Sequence, residues 1–230
     1  MTALTLSEPA AASRTPLLSG VGLSVRYGQV SVLTDVNLTV HSGAELAITG
    51  RSGSGKTTLL LVLAGLLQHQ RGSLRWPALA TSSAARRSEI GMVFQAPSLV
   101  PELTAAENVS LPLRLRGSDV RQAAQATDEA LSLVGLQEAA DALPSQLSGG
   151  MQQRVAIARV LAGRPRLILA DEPTGALDRE NAFAALAALR DAVAVTGGAL
   201  VVATHDDELA GLLSEQAVLD GGRLHAPAKT

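Results

Sequence analysis

Gly50-Arg51-Ser52-Gly53-Ser54-Gly55-Lys56-Thr57 fits the phosphate-loop pattern G-x-x-x-x-G-K-[ST] at every fixed position. Its glycines let the backbone turn tightly, so that successive N–H groups and the start of a following helix can surround a polyphosphate. Lys56 would neutralise the β- and γ-phosphates, and Thr57 would hold Mg²⁺ through its hydroxyl. Arg51, Ser52, Ser54 and Thr58 complete the binding stretch. The lysine is informative in itself: of 19 basic residues only Lys56 and Lys229 are lysine. A chain that elsewhere uses the wide guanidinium fork but keeps a compact ammonium here points to a site with room for a point charge.

Such a loop needs a carboxylate at the tip of a neighbouring strand to orient the metal's waters. Asp171, which ends the apolar run Leu167-Ile168-Leu169-Ala170, is the candidate. Glu172 follows directly and points elsewhere, so the two acids can divide labour, Asp171 serving the metal and Glu172 polarising the attacking water as general base.

These residues require a scaffold that sets loops at strand ends. Short aliphatic runs, Leu46–Thr49, Ile90–Phe94, Leu167–Ala170 and Leu200–Ala203, alternate with helical patterns, which predicts α/β architecture with buried parallel strands. Between the second and third runs the pattern is helical only. Gly117-Ser118 offers a cap, Val120, Ala124, Ala130, Leu131 and Val134 recur at roughly helical spacing, and Gly135 ends them. Residues 96–158 are therefore expected as a helical subdomain inserted into a core of 17–95 and 159–226, with 1–16 a loose tail.

Composition narrows the function classes. With 230 residues, 47% of them hydrophobic, the chain can bury one full core. A formal charge of −2 gives no electrostatic footprint for nucleic acid, which is not an expected partner. The absence of cysteine excludes disulfides and thiolate chemistry. Met1–Pro16, rich in Ala, Ser, Thr and Pro, lacks the basic start and apolar stretch of a signal peptide, so an intracellular chain is expected. The longest apolar run, Leu59–Leu67, is about half of the ~20 residues that span a bilayer, so any membrane role is expected to be peripheral.

Leu147-Ser148-Gly149-Gly150-Met151-Gln152-Gln153-Arg154 carries a resemblance. Alone, Ser-Gly-Gly is a linker or an N-cap turn. Ahead of the Asp171-Glu172 strand it resembles the LSGGQ signature of the ABC transporter ATP-binding cassette family, with Met151 in place of the final Gln. The resemblance covers roughly residues 17–225. It implies an ATP-binding P-loop NTPase with a RecA-like α/β core around a parallel sheet, a small antiparallel β-subdomain and the helical insertion. The stretch Gly72–Glu89 is shorter than relatives usually carry. It further implies that Ser148, Gly149 and Gly150 face the γ-phosphate held by a second cassette, a homodimer being the simplest pairing.

Other positions match the family in order. Gln95 corresponds to the Q-loop glutamine that touches Mg²⁺, Asp178 in Ala176-Leu177-Asp178 to the D-loop, and His205 to the switch histidine at the γ-phosphate. Asp178 also reads as the cap of a helix from Arg179. Tyr27, the single tyrosine, falls where the family stacks an aromatic on adenine, or else it packs at a strand end. His41, His69 and His225 are expected as ordinary surface residues. The implied activity is ATP hydrolysis coupled to a separate membrane permease, on the cytoplasmic face of the plasma membrane. Pro101–Leu113 together with Ala170–Asp178 resembles the branch that serves lipoprotein-releasing, macrolide-export (MacB-like) and FtsX-like permeases. Apolar Phe94, Pro97, Leu99, Val100 and Leu103 are expected in part to line a groove for a permease helix. The alternative from another class, a soluble ABC ATPase of DNA repair, chromosome structure or translation, would carry long coiled coils or two cassettes, and a phosphate-loop kinase would have no use for Leu147–Arg154.

Overall fold

A computed structural model describes residues 15–226. Residues 1–14 and 227–230 lie outside the described residues, and with them most of the expected tail and Lys229. In chain order the strands are β1 (Leu18–Tyr27), β2 (Val30–Val40), β3 (Glu45–Thr49), β4 (Arg71–Arg75), β5 (Ile90–Val93), β6 (Leu167–Asp171), β7 (Ala199–Ala203), β8 (Glu215–Asp220) and β9 (Arg223–His225). The α-helices are α1 (Lys56–Leu63), α2 (Ser83–Glu89), α3 (Ala105–Leu115), α4 (Val120–Leu133), α5 (Gly149–Leu161), α6 (Arg179–Thr196) and α7 (Asp207–Ala210).

Six strands form the central sheet in the order β5-β6-β7-β3-β8-β9, parallel except for β9. Every residue of β6 and β7 is buried, as expected for strands covered on both faces. Alternation then decides which layer each side chain joins. Leu167, Leu169, Val201 and Ile48 pack with α1 and the antiparallel sheet. Ile168, Ala170, Leu200 and Val202 pack with α5, α6 and the helical layer of α3 and α4. Each fully buried leucine contributes about 1.5–3 kcal/mol by leaving water.

The implied antiparallel subdomain is present as a second sheet, β2-β1-β4, despite the short Gly72–Glu89 stretch. β1 shifts register between Gly20 and Leu23, so its buried positions run Leu18, Gly20 and then Leu23, Val25. β4 approaches this bulge so closely that a Cβ on Gly72 would stand 2.5 Å from the backbone carbonyl of Gly22, and Gly72 adopts φ 94°. Only glycine satisfies both conditions.

The cap expected at Gly117-Ser118 is one residue away: Asp119 caps α4, accepting from the N–H of Arg121 at 2.9 Å. A carboxylate matches both the geometry and the partial positive charge of the helix start better than Ser118 does. α3, carrying Pro112 in its interior, starts from a capping box in which Thr104 and Glu107 exchange side-chain to backbone bonds.

Candidate functional site

The Gly50–Gly55 loop joins β3 to α1 at the C-terminal edge of the parallel sheet. Gly50 has φ 150°, and a Cβ there would lie 2.4 Å from the Leu219 carbonyl oxygen. The loop is thus pressed against β8, while Arg51, Ser52 and Gly53 remain exposed. Six of the seven described α-helices have a side-chain N-cap; α1 has none, and starts from Gly55 in the left-handed region. Its first-turn N–H groups, those of Lys56, Thr57 and Thr58, have no intrahelical acceptor and face outward with the positive end of the helix dipole. The buried Ser54 hydroxyl also has no partner among the described residues. This donor set fits a polyphosphate.

Lys56 is 8% exposed, and its ammonium donates to the Gly50 carbonyl at 2.8 Å and stands 3.6 Å from Glu172 Oε1. The Thr57 hydroxyl donates to Asp171 Oδ2 at 2.7 Å. The sequence placed this carboxylate on a neighbouring strand; in the fold β7 lies between β3 and β6. Strands stand about 4.8 Å apart, and α1 bridges the extra one by crossing over β7 and β6, which brings its first turn to the tip of β6. Thr57 and Asp171 therefore flank one point with hard oxygen ligands, a donor set that suits Mg²⁺.

Asp171 is 3% exposed, and burial raises its pKa above the usual aspartate range, with the Thr57 hydrogen bond opposing that shift and Glu172 adding to it. A carboxyl whose folded pKa exceeds its unfolded one destabilises the fold when ionised. The penalty is present at neutral pH and disappears as pH falls through the folded pKa. Asp171→Asn should therefore raise the melting temperature of the nucleotide-free protein at pH 7 by about 2–4 °C, the shift ~1 kcal/mol produces in a chain of this size. The gain should shrink on acidification, as calorimetry across pH would register, while Mg²⁺-dependent nucleotide binding weakens. An unchanged or lower melting temperature at neutral pH would contradict the desolvation account.

Glu172 leaves β6 at φ 44°, unusual for a residue with a side chain and worth about 1–3 kcal/mol of strain. Two bonds hold it there: its N–H donates to the Ala203 carbonyl at 2.9 Å, and its carbonyl accepts from Gly175 N–H at 3.2 Å. The turn swings the side chain away from Asp171, as the sequence requires of a divided pair. Oε1 faces Lys56, and Oε2 lies 2.9 Å from Nδ1 of His205 at the end of β7. Glu172 and His205 wall a cleft of about 360 Å³ shared with Leu177, Arg179 and Phe183. Asp178, between Leu177 and Arg179 in the chain, caps α6, its carboxylate accepting from the Asn181 backbone N–H, the largest cause of a lowered pKa, and from the Asn181 amide.

Other expected residues lie around this centre. Gln95 is exposed two residues beyond Val93, which pairs with Ala170, so it sits beside the strand end carrying Asp171. Tyr27, 53% exposed, ends β1 opposite Val30; two residues on in β2, the Val32 carbonyl backs onto Gly55. Of the apolar connection residues, Phe94 is 37% exposed, whereas Leu99 packs on the helical-layer core. Ser148 and Gly149 are exposed at the start of α5, where the Ser148 hydroxyl oxygen accepts from Met151 N–H at 3.2 Å. The cap reading thus holds, with the hydroxyl proton still available. Among the described residues no hydrogen bond links Ser148–Gly150 to the Gly50–Thr57 loop of the same chain. Sequence reasoning missed Gln153, Arg159 and Asn108, whose polar side chains hold the Gln95 connection; a fully buried Gln and Asn have no local sequence signature.

Comparison with known proteins gives one consistent result. The family described as ABC transporter matches residues 33–175. A lipoprotein-releasing system ATP-binding protein LolD of Shewanella sp. (strain MR-4) is 40% identical over 221 residues, covering 92% of this chain and 96% of the relative. The protein of the same name from Bordetella avium (strain 197N) is 44% identical over 203 residues, 85% of this chain and 88% of that one. Among solved structures, the ATP-binding cassette MJ0796, dimeric in a post-hydrolysis state with ADP and Pi, superposes with a TM-score of 0.82 at 33% identity, over 93% of this chain and all of that one.

Proposed function

The chain belongs to the ABC transporter family, and from that premise we propose how its residues divide the work. It is the ATP-binding, ATP-hydrolysing subunit of an ABC transporter, with the P-loop NTPase core expected from its motifs. The relatives, by name ATP-binding proteins of a lipoprotein-releasing system, do not favour the soluble repair or translation ATPase.

Lys56 exchanges the Gly50 carbonyl and Glu172 for the β- and γ-phosphates of ATP, joined there by the first-turn N–H groups of α1. Tyr27 stacks on the adenine. Thr57, Asp171 and Gln95 hold Mg²⁺, which when bound neutralises charge developing on the transferred phosphoryl group. Glu172, released from Lys56 and still held by His205 at Oε2, accepts a proton from the attacking water. That water's oxygen bonds to the γ-phosphorus as the bond to the β,γ-bridging oxygen breaks. Water exclusion and the remaining γ-phosphate contacts come from Ser148, Gly149 and Gly150 of a second copy, since these groups do not reach the loop of their own chain. Asp178 stands at the junction of the two sites.

We further infer that the subunit serves a lipoprotein-releasing permease from the cytoplasmic face of the membrane. The relatives' names favour that type over MacB-like or FtsX-like permeases. No described helix is long and apolar enough to cross a membrane; the permease is proposed as a separate chain. The observation that carries the reading is the convergence of Lys56, Thr57–Asp171 and Glu172–His205 at one sheet edge.

The test is co-purification of the tagged subunit from membranes. A multi-span permease should accompany it and stimulate its ATPase activity, and Phe94→Asp, at the exposed aromatic position of the connection, should weaken both while ATP binding stays normal. Normal association of Phe94→Asp would move docking elsewhere; absence of any membrane partner would remove the transport assignment.

A further inference from the structure

Residues 94–104, between β5 and α3, form neither helix nor strand, and one backbone bond, Leu103 N–H to the Val100 carbonyl, turns the segment on itself. Its backbone is held instead by side chains. Gln153, fully buried in the second turn of α5, donates from its amide to the Phe94 carbonyl at 3.2 Å. Arg159, two turns further on, donates to the Pro97 carbonyl at 2.8 Å and the Ser98 carbonyl at 2.9 Å. Ser98 stands at φ 48°, a strained conformation for a residue with a side chain, and the guanidinium grips the carbonyl of that same residue. Asn108, also fully buried, secures the far end by accepting from Val100 N–H and donating to the Val100, Leu103 and Thr104 carbonyls.

α5 is the helix whose N-terminus carries Ser148, Gly149 and Gly150. We infer that Gln153 and Arg159 are positioning residues that fasten the segment bearing Gln95 to α5, so that Gln95 and Ser148–Gly150 move as one body. A shift of Ser148–Gly150 onto the nucleotide of a second copy then draws Gln95 toward its own site, and a push on the connection reaches α5 in turn. Arg159 spans the strained residue, so releasing it lets the segment relax away from the geometry Gln95 needs. The amide oxygen of Gln153, Oε1, is buried without a partner among the described residues, which leaves the clamp a bond to gain when the segment shifts. The inference rests on the proposed role of Gln95 at Mg²⁺.

Two measurements on the full chain test it, using Gln153→Met and Arg159→Met, which keep length and remove donors. In hydrogen exchange, the amides of Val100 and Leu103, bonded to Asn108 Oδ1 and to the Val100 carbonyl, should exchange about tenfold faster while the rest of α5 keeps its protection. In turnover, kcat should fall about tenfold with ATP affinity within about twofold, the mark of lost positioning. Arg159→Lys, which restores a cationic donor, should recover part of the loss. In a Gln95→Ala background neither Met variant should cost anything more. Unchanged exchange at Val100 and Leu103 overturns the clamp. A full additional loss in the Gln95→Ala background overturns action through Gln95. Wild-type turnover by Gln95→Ala alone overturns the role of Gln95 itself and, with it, the positioning role. Loss of cooperative melting in both Met variants makes the side chains structural and also overturns it.

Discussion

Glu172→Gln should bind ATP as tightly as the parent and hydrolyse it about 10²–10⁴-fold more slowly, the contribution of a positioned base. The change is isosteric, leaves the φ 44° backbone and its bonds to Ala203 and Gly175 in place, and removes the proton acceptor together with the charge that pairs with Lys56. Its companion, Lys56→Ala, should fail at the earlier step. Among the described residues the ammonium is the only side-chain cation bonded to the loop backbone, and its removal also leaves the 12%-exposed Glu172 without its ion-pair partner. Nucleotide titration and turnover on both variants separate the two roles. Wild-type turnover in Glu172→Gln would remove the base assignment, and tight binding by Lys56→Ala would remove the phosphate role.

Ser148→Arg should abolish turnover and ATP-dependent dimerisation while leaving the nucleotide affinity of the single chain nearly intact, because Ser148 has no bond to its own loop. Loss of the N-cap costs α5 about 0.5–2 kcal/mol, too little to explain a complete loss of activity in a folded chain. Mixing Ser148→Arg with Lys56→Ala decides the geometry. If each site takes its loop from one copy and Ser148 from the other, the mixed dimer has one site with both defects and one with neither, and hydrolysis should reappear. Should heterodimers form without recovery, independent hydrolysis at one intact shared site is rejected. Full activity of Ser148→Arg alone would reject the shared site altogether.

The legible parts of the chain were those whose physics is local. A phosphate loop is a run of consecutive backbone groups, so Gly50–Thr57 can be read as letters in order. Strands β6 and β7, buried on both faces, appear as unbroken apolar runs for the same reason. β1 was not legible from its pattern, because the register shift after Gly20 reverses its alternation halfway. α3 carried the Thr104-Ala105-Ala106-Glu107 signal of a capping box, yet Pro112 argues against helix; packing of Val109 and Leu113 in the core outweighs the hydrogen bond that proline removes.

The sequence by itself determined the phosphate loop, the acidic pair that ends an apolar run, and the Ser-Gly-Gly turn that starts α5, since each depends on neighbours a few residues away. Only the tertiary structure decided that β7 separates the loop strand from the Asp171 strand, that Thr57 nevertheless meets Asp171 across 114 residues, and that Glu172 meets His205 across 33. It also decided that Gln153 in α5 holds the carbonyl of Phe94, 59 residues away. Such meetings follow from strand order, and strand order minimises the free energy of the whole core at once, a sum over distant burial and hydrogen bonding that no short stretch of residues contains.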